Sequence, residues 1–175
     1  MKKVLVIGSS GAGKSTFARR LHKATGLELV HLDKLYWKPN WVETTDKNEW
    51  RKTLAEVLKG DKWIIDGNYG STMEMRIEAS DTVILLDMPR TVCVYRILKR
   101  MAFYRKGERL DMAEGCDEKF DWEFIKWTWN YPKQSKPKVE ELLKRFENEK
   151  TIIRLKSKKE IENFFAKYSN TSVIK

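Results

Sequence analysis

The run Gly8-Ser9-Ser10-Gly11-Ala12-Gly13-Lys14-Ser15 sets the tightest limit on how this chain can fold. It satisfies G-x-x-x-x-G-K-[ST] at every defined position and directly follows the apolar residues Val4-Leu5-Val6-Ile7. Glycines at this spacing let successive backbone N–H groups converge on an anion, and a helix that begins there adds its positive dipole end. A plain turn between strand and helix would need neither Lys14 nor Ser15. The run therefore predicts a phosphate cradle built from Gly8, Ser10, Gly11, Ala12, Gly13, Lys14, Ser15 and Thr16. Lys14 supplies a mobile cation for the β- and γ-phosphates, and Ser15 a hydroxyl for a magnesium ion bridging them. ATP and Mg²⁺ are the ligands this chemistry implies.

Around that run the chain alternates short apolar segments with amphipathic ones. Lys3 to Ile7, Leu29 to Leu32, Trp63 to Asp66, Thr82 to Asp87 and Thr151 to Leu155 read as strands. Helices are expected from Lys14 to about Ala24, from an Asp46 cap to Lys59, from Pro89 to about Tyr104, over Asp121–Asn130 and Lys138–Asn148, and from Lys158 to Tyr168. Strands that alternate with helices in this way predict an α/β fold, a parallel sheet covered by helices on both faces. With 175 residues and no linker of biased composition, a single domain spanning 1–175 is the expectation.

Composition narrows the partners. Thirty-five Lys and Arg against 25 Asp and Glu give a net charge of +10, which favours anionic ligands. Residues 133–175 hold twelve basic and six acidic residues, but the two signs interleave as on a solvated helix. Two cysteines, Cys93 and Cys116, are too few for a disulfide scaffold and fit a reducing compartment. The N-terminal apolar run is too short for a signal peptide or a membrane span, so a cytoplasmic protein with no membrane partner is expected.

Three aspartates fall at predicted strand ends, the ligand edge of such a sheet: Asp33, Asp66 and Asp87. Each can hold magnesium through water, orient an acceptor hydroxyl, or cap the next helix. His31 beside Asp33 reads as structural. Beyond the fourth strand, Arg96 and Arg100 share a helix face, and Arg105 and Arg109 follow in a polar segment. Phosphoryl transfer proceeds by positioning and charge neutralisation, which makes Arg100, Arg105 and Arg109 candidates for contact with the γ-phosphoryl group. Tyr36, Trp37, Trp41, Trp122, Trp127, Trp129 and Tyr131 supply aromatic surface for packing or for an acceptor ring.

The P-loop, the Asp66-Gly67 step and the Val83–Pro89 strand followed by Arg90 resemble the adenylate kinase-related P-loop kinases. The runs Asp66-Gly67-Asn68-Tyr69, Leu86-Asp87-Met88-Pro89-Arg90, Arg109 to Cys116 and Phe120-Asp121-Trp122-Glu123-Phe124 further resemble the DNA topology modulation (FlaR-like) proteins. The resemblance implies a five-stranded sheet of order 2-3-1-4-5 in a three-layer, nucleoside-monophosphate-kinase-like fold. It also implies a lid near residues 105–118 and an adenine site around Lys156 and Ser157. On that frame Asp66 joins Ser15 on the magnesium side, Asp33 faces the acceptor, and Asn68 and Arg76 are the candidate substrate contacts. Adenylate kinases carry D-G-F-P-R where this chain has Asp66-Gly67-Asn68-Tyr69-Gly70, a departure that speaks against AMP as acceptor. The expected activity is transfer of the γ-phosphoryl group of Mg-ATP to a small hydroxyl- or phosphate-bearing acceptor, a nucleotide among the options. The alternative is an ATP-binding, DNA-associated regulator with weak ATPase activity, although no helix-turn-helix, zinc finger or long basic arm is visible.

Overall fold

The computed structural model describes residues 1–43, 46–103, 111–116 and 119–171, the side chains of 168–171 excepted. In chain order its elements are β1 (Lys3–Gly8), α1 (Lys14–Thr25), β2 (Leu29–His31), α2 (Leu32–Tyr36), β3 (Trp37–Lys38) and β4 (Val42–Glu43). Then come α3 (Lys47–Leu58), β5 (Trp63–Asp66), α4 (Met73–Ala79), β6 (Thr82–Leu86), α5 (Arg90–Phe103), α6 (Trp122–Gln134), α7 (Lys136–Phe146), β7 (Thr151–Leu155) and α8 (Lys158–Thr171).

Side chains on a strand alternate between faces, and β1 is apolar on both. Val4 and Val6 join one core with Phe17, Ala18 and Leu21 of α1 and Phe165 of α8. Leu5 and Ile7 join a second core with Trp50 and Leu54 of α3, Ile77 of α4, and Val139 and Leu143 of α7. A strand buried on both faces belongs at the centre of a three-layer stack. β1 pairs in parallel with β5 on one side and β6 on the other, and the order across the sheet is β2-β5-β1-β6-β7. This is the expected 2-3-1-4-5 arrangement, renumbered because the β3–β4 hairpin intervenes in the chain.

Several elements differ from the sequence expectation for identifiable reasons. β2 stops at His31, which pairs with Asp66, the last residue of β5; with no ladder beyond it, Leu32 starts α2 instead. The hairpin has two residues per strand and turns through Asn40 and Trp41 at positive φ, too short a run for period-two patterning to register. α6 continues past Asn130 and through Pro132 to Gln134. The amide of Ser135 still reaches the Tyr131 carbonyl and α7 begins one residue later, so the donor missing at Pro132 does not end the helical path.

The largest correction concerns Arg76, expected as an acceptor contact. Its side chain is fully buried and is not among the residues lining the main cavity. Its Nε donates to the Thr72 carbonyl (3.2 Å), Nη1 to Gly67 (2.9 Å) and Nη2 to Tyr69 (2.6 Å). Burial pulls its pKa down to about 9, which leaves it charged at neutral pH. The guanidinium therefore braces the loop that follows β5, and with it the positions of Asn68 and Tyr69. Arg76→Met strands these carbonyls and should lower the unfolding free energy by about 2 kcal/mol or more in urea titrations. An unchanged urea midpoint with only a raised acceptor KM would restore the substrate-contact role.

Candidate active site

The turn from β1 into α1 has a backbone that side chains other than hydrogen resist. Gly8, Gly11 and Gly13 have φ of 145°, 74° and 97°. A Cβ at Gly11 would lie 2.3 Å from the Cys93 carbonyl oxygen of α5, so the loop is packed against that helix at backbone contact. From the same helix Arg96 Nη1 donates to the carbonyls of Gly11 (3.3 Å) and Ala12 (3.1 Å). No side chain caps α1 and no acidic residue occupies its first turn, so its N-terminus presents amide donors and positive dipole to the cavity.

That cavity has a volume of about 750 Å³ and is lined on one side by Ser10, Gly11, Gly13, Lys14, Ser15 and Thr16. Of the remaining cradle residues, Gly8 closes β1 against Leu86 and Ala12 is buried beneath the loop. Lys14 Nζ donates to the Ser9 carbonyl at 3.0 Å. Burial lowers the Lys14 pKa from the ordinary lysine value, against the opposing pull of Asp33 and Asp66. The parallel strands end at this edge, and two of the three strand-end aspartates line the cavity: Asp33 and Asp66.

Each of those carboxylates is held by a neighbour. Tyr69 Oη donates to Asp33 Oδ1 at 2.6 Å, and burial together with Asp33 pushes the tyrosine pKa far above its ordinary value, so it stays a donor. His31 Nδ1 stands 2.6 Å from Asp66 Oδ1, a hydrogen bond that fixes the carboxylate against the ring. Asp87 does not line the cavity; it pairs with Lys136 at 2.7 Å on the far side of β1.

Asn68 and Arg100 also line the cavity, joined by Arg19, Arg96, Lys99 and Lys119. Arg105 and Arg109 lie outside the described residues. Aromatic walls come from Trp37 and Trp41 of the hairpin region, whose rings meet edge to face at 5.6 Å, and from Phe124 and Trp127 of α6, stacked at 6.1 Å. Trp129 lies outside this wall, beneath the guanidinium of Arg90 at 4.2 Å. Lys156 and Ser157 are not in the lining either; at the start of α8 the Ser157 hydroxyl accepts from the Glu160 amide, and the Glu160 carboxylate accepts from the Lys156 amide.

The sequence reading missed two contacts here. Arg96, one helical turn before Arg100, was visible as part of a shared face but not as a brace on the loop carbonyls. Asp111 lines the cavity and accepts a hydrogen bond from Ser15 Oγ at 2.9 Å. Of the segment expected as a lid, residues 111–116 are described, and they rest on the hairpin. The Asn40 amide donates to the Gly115 carbonyl at 3.0 Å, and Cys116 Sγ to the Lys38 carbonyl at 3.1 Å.

A family model described as an AAA domain matches residues 4–66, from β1 through the end of β5. Among solved structures, shikimate kinase from Acinetobacter baumannii in complex with shikimate is similar at a TM-score of 0.62 and 13% identity, covering 99% of this chain and 93% of that one. The fold is that of the P-loop kinases. A sugar kinase from Janibacter has the same fold, with a TM-score of 0.56, 19% identity, and coverage of 97% and 95%. So does deoxyadenosine kinase from M. mycoides, with a TM-score of 0.52, 18% identity, and coverage of 95% and 98%. No curated protein matches the chain by sequence.

In this P-loop kinase fold the cradle depends on Gly11. Gly11→Ala adds a Cβ against a backbone oxygen at a φ that alanine resists, and should cost about 1–3 kcal/mol of stability. Gly70→Ala, at a glycine with open space around it, is the control and should leave the thermal midpoint within a degree or so. Equal effects at the two positions would contradict the packing described.

Proposed function

We propose that this chain transfers the γ-phosphoryl group of Mg-ATP to a small hydroxyl- or phosphate-bearing acceptor. The observation that carries the reading is the shared cavity: the phosphate cradle and the strand-end carboxylates Asp33 and Asp66 face the same 750 Å³ space. The donor set suits magnesium, which prefers hard oxygen ligands, and here a serine hydroxyl and carboxylates adjoin the cradle. Ser15 and Asp66 would hold the metal. When bound with ATP, magnesium neutralises charge that develops on the phosphate oxygens.

The chain's own groups do the rest. Backbone amides of the loop and the start of α1 bind phosphate oxygens, and Lys14 adds a cation that can leave the Ser9 carbonyl for a phosphate. Asp33, oriented by the Tyr69 hydroxyl, accepts the proton of an acceptor hydroxyl as attack proceeds. Arg100 lies in the wall as a counter-charge, a role the sequence assigns also to Arg105 and Arg109. The aromatic wall of Trp37, Trp41, Phe124 and Trp127 excludes water and offers flat surface to the acceptor. Asn68 lines the same cavity, which supports its assignment as an acceptor contact.

The FlaR-like resemblance raises DNA association as the other reading, and residues 133–175 would carry it. There Arg154 pairs with Glu140 and Arg145 with Glu74, which favours a solvated face of matched charges.

Lys14→Ala should weaken ATP binding or turnover at least tenfold while the circular dichroism spectrum is retained. Asp66→Asn should reduce the magnesium dependence of ATP binding, whereas Asp33→Asn should leave ATP binding intact and lower acceptor-stimulated ADP release by roughly a hundredfold. Duplex DNA should bind with a Kd of about 10⁻⁶ M or weaker at physiological salt. Nanomolar DNA binding without acceptor-stimulated ADP release would overturn the kinase reading.

A further inference from the structure

The Ser15–Asp111 contact joins residues 96 apart in sequence, and both line the phosphate end of the cavity. A carboxylate placed there has an electrostatic consequence. Asp111 stands within hydrogen-bond reach of a hydroxyl that opens α1, where phosphate oxygens would gather, so a cation bound between phosphate and hydroxyl would lie within reach of this carboxylate too. Asp111 is also held in place from its C-terminal side. Four residues on, the Gly115 carbonyl accepts from Asn40, and Cys116 bonds Lys38, so the segment is tied to the hairpin. Asp66, the carboxylate first assigned to the metal, has one oxygen already committed to His31 at 2.6 Å.

From this geometry we infer that Asp111 is a magnesium-ligating carboxylate that works beside Ser15, a residue outside the sheet edge that supplies the other site aspartates. The inference rests on the Mg-ATP reading above. Oxygens in adjacent positions of an octahedral magnesium shell, each about 2.0–2.1 Å from the metal, stand about 2.9 Å apart. The Ser15 and Asp111 oxygens are 2.9 Å apart already, joined by a hydrogen bond that a metal between them would replace. The Ser15 hydroxyl keeps its hydrogen and turns it away from Asp111, so that one lone pair of each oxygen faces the cation. Because the same segment is bonded to Lys38 and Asn40, metal binding would be linked to the hairpin region that carries Trp37 and Trp41 into the acceptor end of the cavity.

Calorimetric titration of ATP into the full-length protein tests this, with magnesium and with EDTA, for the wild type and Asp111→Asn. Asparagine keeps the size and can still accept from Ser15, so the fold is retained, and a thermal melt checks it. The wild type should bind ATP more tightly with magnesium. The variant should bind metal-free ATP about as tightly as the wild type. Its gain from magnesium should shrink about tenfold or more. Manganese titrated into the ATP complex and followed by electron paramagnetic resonance should show the same loss of metal affinity without reference to turnover. If the wild type gains from magnesium and the variant gains equally, Asp111 is only a hydrogen-bond partner of Ser15 and the inference falls alone. If the variant binds ATP more tightly by the same factor with and without metal, Asp111 is an occluding group and the inference is again overturned. A wild type that gains nothing from magnesium would overturn the Mg-ATP reading itself.

Discussion

At Gly11 the loop between β1 and α1 leaves no room for a side chain: a Cβ there would meet the Cys93 carbonyl of α5 at 2.3 Å. Arg96 from the same helix bonds the Gly11 and Ala12 carbonyls, so these loop C=O groups are satisfied from α5. This contact links the element after β6 to the element after β1, the two sides of the sheet's centre. The proposed phosphate cradle is thus preorganised by packing, and the aspartates and aromatic walls are arranged around it. Preorganisation matters here because donors already in place lose little freedom when an anion arrives.

The cavity edge shows how second contacts fix first ones. Asp33 and Asp66 arrive at the sheet edge through the strands that precede them, but their side chains are oriented by Tyr69 and His31. Tyr69 in turn sits on a loop whose carbonyls are bonded by buried Arg76. A residue outside the cavity therefore sets the position of a carboxylate inside it, through one tyrosine.

How much of this could be read from the sequence follows from the range of each interaction. The cradle and the five parallel strands were legible because glycine spacing and alternating apolar residues are local signals, and Asp46 at a helix start was visible for the same reason. Asp33 and Asp66 were legible as strand-end residues. Asp87 occupies the same kind of position yet pairs with Lys136, 49 residues away, and nothing local announces that. Arg76 has the spacing of a substrate contact, but the three carbonyls around it exist only once the loop has closed. Asp111 meets Ser15 across 96 residues, and the hairpin that anchors its segment has strands of two residues, below the length at which periodicity carries information.

The central claim is that the cradle and the acceptor carboxylate serve one transfer. ATP labelled with heavy oxygen in its γ-phosphoryl group, incubated with the protein, magnesium and a mixed panel of nucleosides, nucleotides, sugars and hydroxy acids, tests it directly when products are read by mass spectrometry. The account predicts that label appears in a phosphorylated member of the panel and that Asp33→Asn lowers the rate of that labelling by roughly a hundredfold while ATP still binds. Label found only in inorganic phosphate, at the same rate with and without the panel, would contradict it.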